Sequence, residues 1–274
     1  MTASTTTAAF PAYSRPQRVT RARVMRSEWI KLRTQPAALW SLLSAVVLTV
    51  GFGVLYSLLR VARPPHGAAA ASYDPVAVSL SGVQLAQIAV GVLGVLLITS
   101  EYATGLIRTT VAAVPKRLPA LWGKAATLTA ATLLIGLPAS FVTFTAGQSI
   151  LARQHLSTTL GQPGVIRAVI GYALYLAVAG LLGLALGTLL RSTAGGISAL
   201  FGVLFALPLV ASFLPGSLSD EVSKYLPGTA GQAITTVHPD PATSLSPWTG
   251  FGVFCAYAAV LLALAAVRMR RGDA

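Results

Sequence analysis

The sequence predicts an all-α polytopic membrane protein, with six transmembrane helices and an N-terminal amphipathic helix at the membrane interface. Composition is the first reason. Of all residues 54% are hydrophobic and 10% charged, with a mean hydropathy of +0.72, which is too apolar and too poor in charge for an ordinary water-soluble domain. The second reason is length patterning. Six apolar runs reach about 20 residues, the number a helix needs to cross a hydrocarbon core of roughly 30 Å. They cover 37–59, 78–99, 125–146, 168–190, 194–214 and 248–267. The third is where the basic residues fall. Six crossings put both ends of the chain on one side, and of the twenty Lys and Arg fifteen then share the side of the termini and five the other. The positive-inside rule makes that side the cytoplasm.

Taken in order, residues 1–36 hold a tail and the interface helix. The opening MTASTTTAAFPAYS reads as unstructured and polar. Over 16–34, Val19, Ala22, Met25, Trp29 and Leu32 recur at helical spacing among Arg18, Arg21, Arg26, Lys31 and Arg33, the pattern of a helix lying along the inner headgroup surface. Arg18, Arg26 and Arg33 project near the apolar stripe and have to snorkel. Glu28 and Lys31 are i,i+3 neighbours, suited to a modest salt bridge. A helix that merely adheres to lipid and one that contacts a soluble partner, through Met25, Glu28, Trp29 and Lys31, fit this pattern equally. The six-helix domain follows over 37–267, and 268–274 is a cytoplasmic tail. Trp40, Tyr56, Trp122, Phe213 and Trp248 lie near span ends, where an amphipathic ring keeps its body in lipid and its polar edge wet. Beyond the second span, 100–114 continues out of the lipid with Glu101 and Arg108, and Pro115 stops or kinks any helix before Lys116 and Arg117. Outside, Leu218, Val222, Tyr225 and Leu226 share a face, predicting an interfacial helix over 217–226. Pro227, Pro239, Pro241 and Pro247 then break the rest into turns.

What the runs lack narrows the function. Within those limits there is no Asp, Glu, Lys, Arg or His, whereas ion-coupled carriers usually need ionisable groups in the membrane. Sodium held by carbonyls at broken helices remains compatible with the sequence. His66, His155 and His238 lie far apart, without metal-ligand spacing, so no metal site is expected. The lone Cys255 permits no disulfide framework. A cleaved signal peptide fits badly, because the first apolar run begins only at Ala37 and five more follow. The net charge of +13 and pI of 10.7 come from basic residues dispersed along membrane flanks, not from a nucleic-acid-binding module with interleaved aromatics. Inside the spans, Gln84 and Gln87 share a helix face and are candidates for lining a translocation path. Gly183 and Gly187 form a small-xxx-small pair. Helix packing is the default for all four.

Residues 80–84, LSGVQ, differ by one letter from LSGGQ, the signature of ATP-binding-cassette ATPases. A nucleotide-binding domain also needs a GxxxxGK[ST] loop to cradle phosphates, and none occurs. The chain is therefore not expected to be an enzyme. Other stretches point to a partner that carries the real motif. RVMRSEWIKLRTQPAALW before and into the first span, SEYATGLIRTTVAAVPKR after the second and KYLPGTAGQAI ahead of the sixth resemble bacterial permeases of the ATP-binding-cassette type-2 exporter class. The resemblance implies a multi-pass subunit of the bacterial plasma membrane, paired with a second copy or homologue in the lipid bilayer and docked on cytosolic ATPase subunits. ATP and Mg would bind those partners, with no cofactor on this chain and no nucleic acid. It also implies that the second loop is the coupling segment, with Glu101, Gly105, Arg108, Pro115, Lys116 and Arg117 as candidate residues. A stand-alone uncoupled or sodium-driven carrier, or a structural subunit of a membrane complex, is the alternative.

Overall fold

The computed structural model describes residues 21–65, 73–103, 118–240 and 243–271. Their regular structure is all helical, with no strand among the described residues. The elements are α1 (Arg21–Thr34), α2 (Pro36–Ala62), α3 (Pro75–Ser79), α4 (Val83–Ala103), α5 (Leu118–Leu151), α6 (Val165–Leu190), α7 (Thr193–Phe201), α8 (Leu207–Ala211), α9 (Gly216–Ser223), α10 (Pro227–Gln232) and α11 (Pro247–Arg271). A π turn, Gly202–Ala206, joins α7 to α8, so that together they make the fifth span. Six helices are thus long and apolar enough to cross a membrane, the all-α polytopic class that the composition requires.

Two apolar clusters fix how the helices stand. Leu32, Ala38, Leu121, Leu184 and Met269 belong to one, which gathers α1, the starts of α2 and α5 and the ends of α6 and α11 at one end of the bundle. We call this the terminal face. Val76, Leu80, Val165 and Ile234 belong to the other cluster, toward the opposite face. The hub is α6, 83% of whose most apolar stretch is buried, against 28% for α2 and α11. It lies directly on α4 because both helices are stripped of side chains where they cross. A Cβ on Gly183 would run into the Gly91 carbonyl oxygen, and one on Gly94 into that of Gly180. Gly187 meets the backbone of Val95 in the same way. The GLALG spacing is a seam for backbone contact, as small residues are between membrane helices. The outer helices turn Leu43, Val47, Leu209, Val210, Val260 and Leu264 outward, the surface a membrane solvates.

Several boundaries differ from those the sequence predicts. The run at 78–99 is not one helix: α3 ends at Ser79, Leu80–Gly82 form a turn, and α4 then continues to Ala103. Asp74 starts α3 by accepting from the Val76 and Ala77 amides at 2.8 and 3.2 Å, an N-cap with Pro75 at the first helical position. The turn explains LSGVQ in packing terms, since a Cβ on Gly82 would strike the Thr49 carbonyl on α2. The third span is longer than 125–146 at both ends, and its extension over Leu118–Lys124 carries Lys124 into the bundle. The fifth ends at Ala211, short of the predicted Leu214.

The segment expected to be turns re-enters the bundle. After α9, which matches the predicted interfacial helix in part, Pro227 opens α10 and Pro247 opens α11. At a first helical position the missing N–H costs nothing and the fixed φ is already helical, so these prolines start helices. Gly228, Ala230, Gly231, Ala233 and Ile234 are buried. Arg167 holds the end of the segment, donating to the carbonyls of Ile234 and Thr236 at 3.2 and 2.9 Å. Non-helical backbone at such depth is tolerated only where protein satisfies it.

Candidate functional site

At the terminal face, four charged side chains from three elements converge. Lys124 on α5 donates to Glu28 Oε2 on α1 at 2.8 Å and to Glu101 Oε1 on α4 at 2.7 Å. Lys31 donates to Glu28 Oε1 and to Glu101 Oε1, both at 2.9 Å. Glu28, Glu101 and Lys124 are at most 5% exposed, while Lys31 is 38% exposed. The quartet is neutral, which is what permits three such charges to be buried. Lys31 lies outside the spans, and its pKa is raised: burial works against its charge, but the hydrogen bonds and fields of Glu101 and Glu28 outweigh it. Glu101 Oε2 is buried without a hydrogen-bond partner among the described residues.

This arrangement extends two expectations. Within the limits of the apolar runs there is still no Asp, Glu, Lys, Arg or His, but the helices run past those limits and include Glu101 and Lys124. The pair Glu28 and Lys31 forms as expected, but as half of a buried cluster and not as a modest surface bridge. On α1 the face turned inward is Glu28 and Leu32, whereas Met25 is exposed and Trp29 half-buried with Arg33 over its ring. The helix docks through its charge and Leu32 as much as through the apolar stripe. Of the predicted coupling residues, Glu101 joins this cluster. Gly105, Arg108, Pro115, Lys116 and Arg117 lie outside the described residues.

Toward the opposite face, the two glutamines on α4 enter a different network. Gln87 is 1% exposed. It accepts from the Tyr175 hydroxyl on α6 and donates to Gln84 Oε1 at 3.2 Å. Gln84 is exposed and donates to Gln232 Oε1 on α10 at 2.6 Å. Tyr175 stacks on Phe254 of α11 with ring centroids 5.1 Å apart, and Gly231 lies against both rings, leaving no room for a Cβ. One level away, Tyr172 donates to Thr49 Oγ1 at 2.8 Å. Gln87 is therefore a buried link between α4 and α6, and Gln84 alone of the pair reaches open space. Tyr175 and Gln232 are the partners that sequence reasoning missed. The QAI of the motif ahead of the sixth span was the available signal for Gln232.

Above this network lies a cavity of about 570 Å³ between α2, α3, the start of α4 and the end of the re-entrant segment. Tyr56, Arg60, Tyr73, Asp74, Gln84 and Gln232 line it, with Phe52 as an apolar wall. Nowhere among the described residues do three or more His, Cys, Asp or Glu side chains gather as a metal site would require. No protein-family model matches the chain, and no curated protein is significantly similar to it.

Proposed function

We propose that the chain is the membrane-spanning permease subunit of an ATP-binding-cassette exporter, driven by ATP hydrolysis on separate cytosolic ATPase subunits. It works paired with a second copy or a homologue, in a bacterial plasma membrane, with both termini in the cytoplasm. The observation that carries the reading is the quartet of Glu28, Lys31, Glu101 and Lys124. It joins α1 to the two helices that flank 104–117, the stretch whose motif resembles the coupling segment of that class. A push on that loop would reach α1, α4 and α5 together, because displacing any one of them strips a buried charge of its partner.

A second reading has one observation in its favour. A buried carboxylate with a free oxygen, Glu101 Oε2, is what a cation-coupled carrier uses. Co-expression with a candidate cassette ATPase subunit separates the two. The tagged chain is expected to retain the ATPase through purification, and charge reversal at Arg108 and Arg117 to abolish that retention. Uphill solute accumulation by the chain alone, in vesicles with only a pH or cation gradient, would overturn the ATPase-driven reading.

A further inference from the structure

The cavity facing away from the termini has a chemical bias. Three of its lining residues carry buried polar atoms with no hydrogen-bond partner among the described residues: Arg60 Nε, the Tyr73 hydroxyl and the Ser81 hydroxyl. The Arg60 Nε–H can only donate, so only an acceptor can satisfy it. Arg60 has no carboxylate partner among the described residues. Its one hydrogen bond among the described residues goes from Nη2 to the Tyr56 hydroxyl at 2.7 Å, and its guanidinium lies over the Tyr56 ring, 5.1 Å from the centroid. Asp74 shares the cavity, but its Oδ1 is committed to the α3 cap. Burial raises the pKa of Tyr73, with Arg60 opposing and Asp74 adding to the rise, so its hydroxyl keeps its proton and stays a donor.

The apolar side of the cavity leads to lipid. Phe52, Tyr56 and Arg60 recur every four residues along α2 and so line one face. Leu55 and Leu59 stand on the neighbouring strip and are 50% and 53% exposed. A molecule seated with its head at Arg60 can run its chain out along these leucines.

We propose that this cavity binds the oxyanion head, phosphate or carboxylate, of an amphipathic molecule. Arg60 is the charge anchor, Tyr73 and Ser81 supply further O–H donors, and the acyl chain lies on the exposed face of α2. The site rests on the cavity alone and stands whether or not a partner ATPase drives the chain.

The test uses the full chain purified in a neutral detergent, with Ala77→Cys as a reporter on a Cys255→Ala background. Ala77 is exposed and lines the cavity. Dihexanoyl phosphatidylglycerol is expected to slow maleimide labelling of that cysteine, and the uncharged dihexanoyl glycerol is expected not to. Inorganic phosphate that protects as well as the lipid would assign the site to a free oxyanion, and with it the head-group chemistry but not the acyl chain. Arg60→Gln is expected to weaken protection by roughly 10- to 100-fold, the worth of a hydrogen bond to a charged group. Tyr73→Phe should weaken it less. Equal protection by the uncharged glycerol, or protection unchanged in Arg60→Gln, overturns the proposal. Should Arg60→Gln fail to fold, the comparison of charged and uncharged probes on the reporter chain still decides it.

Discussion

Replacing Lys124 by Met is the sharpest test of how the terminal face is held. The substitution keeps an unbranched chain one atom shorter and removes its charge. Two contacts go, at 2.8 Å to Glu28 and 2.7 Å to Glu101. At an effective dielectric constant of about 20, each is worth roughly 6 kcal/mol before desolvation. Desolvating each buried ion takes back several kcal/mol. What remains is set by what the deletion leaves behind: two carboxylates, 5% and 4% exposed, sharing one half-exposed Lys31. Breaking a buried pair from one side costs about 3–5 kcal/mol, and at about 2–4 °C per kcal/mol this lowers the melting temperature by about 6–20 °C. Lys31→Met removes a group 38% exposed and leaves both carboxylates paired with the buried Lys124, so it should cost less. Thermal unfolding followed by size-exclusion of a fluorescent fusion measures both. If Lys124→Met melts no lower than Lys31→Met, the quartet is not a buried electrostatic joint, and the mechanical role given to it falls too.

Other perturbations follow from single contacts. Gly183→Val should prevent a monodisperse protein from being recovered, since a Cβ there collides with the Gly91 carbonyl. Gly252→Ala, with nothing within 4 Å, should instead stabilise by about 0.5–1 kcal/mol through helix propensity. Tyr175→Phe leaves Gln87 Oε1 without its donor and should cost about 1–3 kcal/mol, read as a lowered melting temperature at unchanged oligomeric size. The docking of α1 should also depend on pH in one direction. Because the pKa of Lys31 is raised above 10.5 by its partners, its contribution is complete below pH 10.5 and is lost as pH climbs through the raised value. A nitroxide on Met25→Cys should therefore report an immobile α1 at neutral pH and loosening only at the alkaline extreme. Loosening between pH 7 and 9 would contradict that assignment.

The class of fold was legible because it depends on a quantity that adds along the chain. Hydropathy summed over 20 residues decides whether a helix prefers lipid, and each of the six runs passes whatever its neighbours do. Boundaries do not add in this way. Leu80–Gly82 are apolar enough to extend a run, yet they turn, because Gly82 has to fit against the Thr49 carbonyl of another helix. Pro227 and Pro247 carry two opposite signals, breaking a helix from inside and starting one at its first residue. Only the packing of α10 against α11 and the π turn decides between them.

The candidate sites were legible in proportion to how local they are. Glu28 and Lys31 sit three apart, and their pairing could be read off the helix. Their link to Lys124 spans 96 residues of sequence and left no local trace. Lys124 stands at the mouth of the apolar run 125–146, where a solvated lysine and a buried one are spelled alike. The difference lies in whether two carboxylates arrive from elsewhere to neutralise it. A similar limit applies at the other face. Arg60 counted toward charge topology as one more outward base, although its Nε–H is buried beside two unsatisfied hydroxyls. Charge counting treats each basic residue as solvated, and that assumption fails at Arg60, Lys124 and Arg167, where burial and specific partners set what the side chain does. A basic residue at a membrane boundary therefore reports orientation only when solvent is its partner. Where protein or a cavity takes that place, the same residue is evidence of a joint or a binding site.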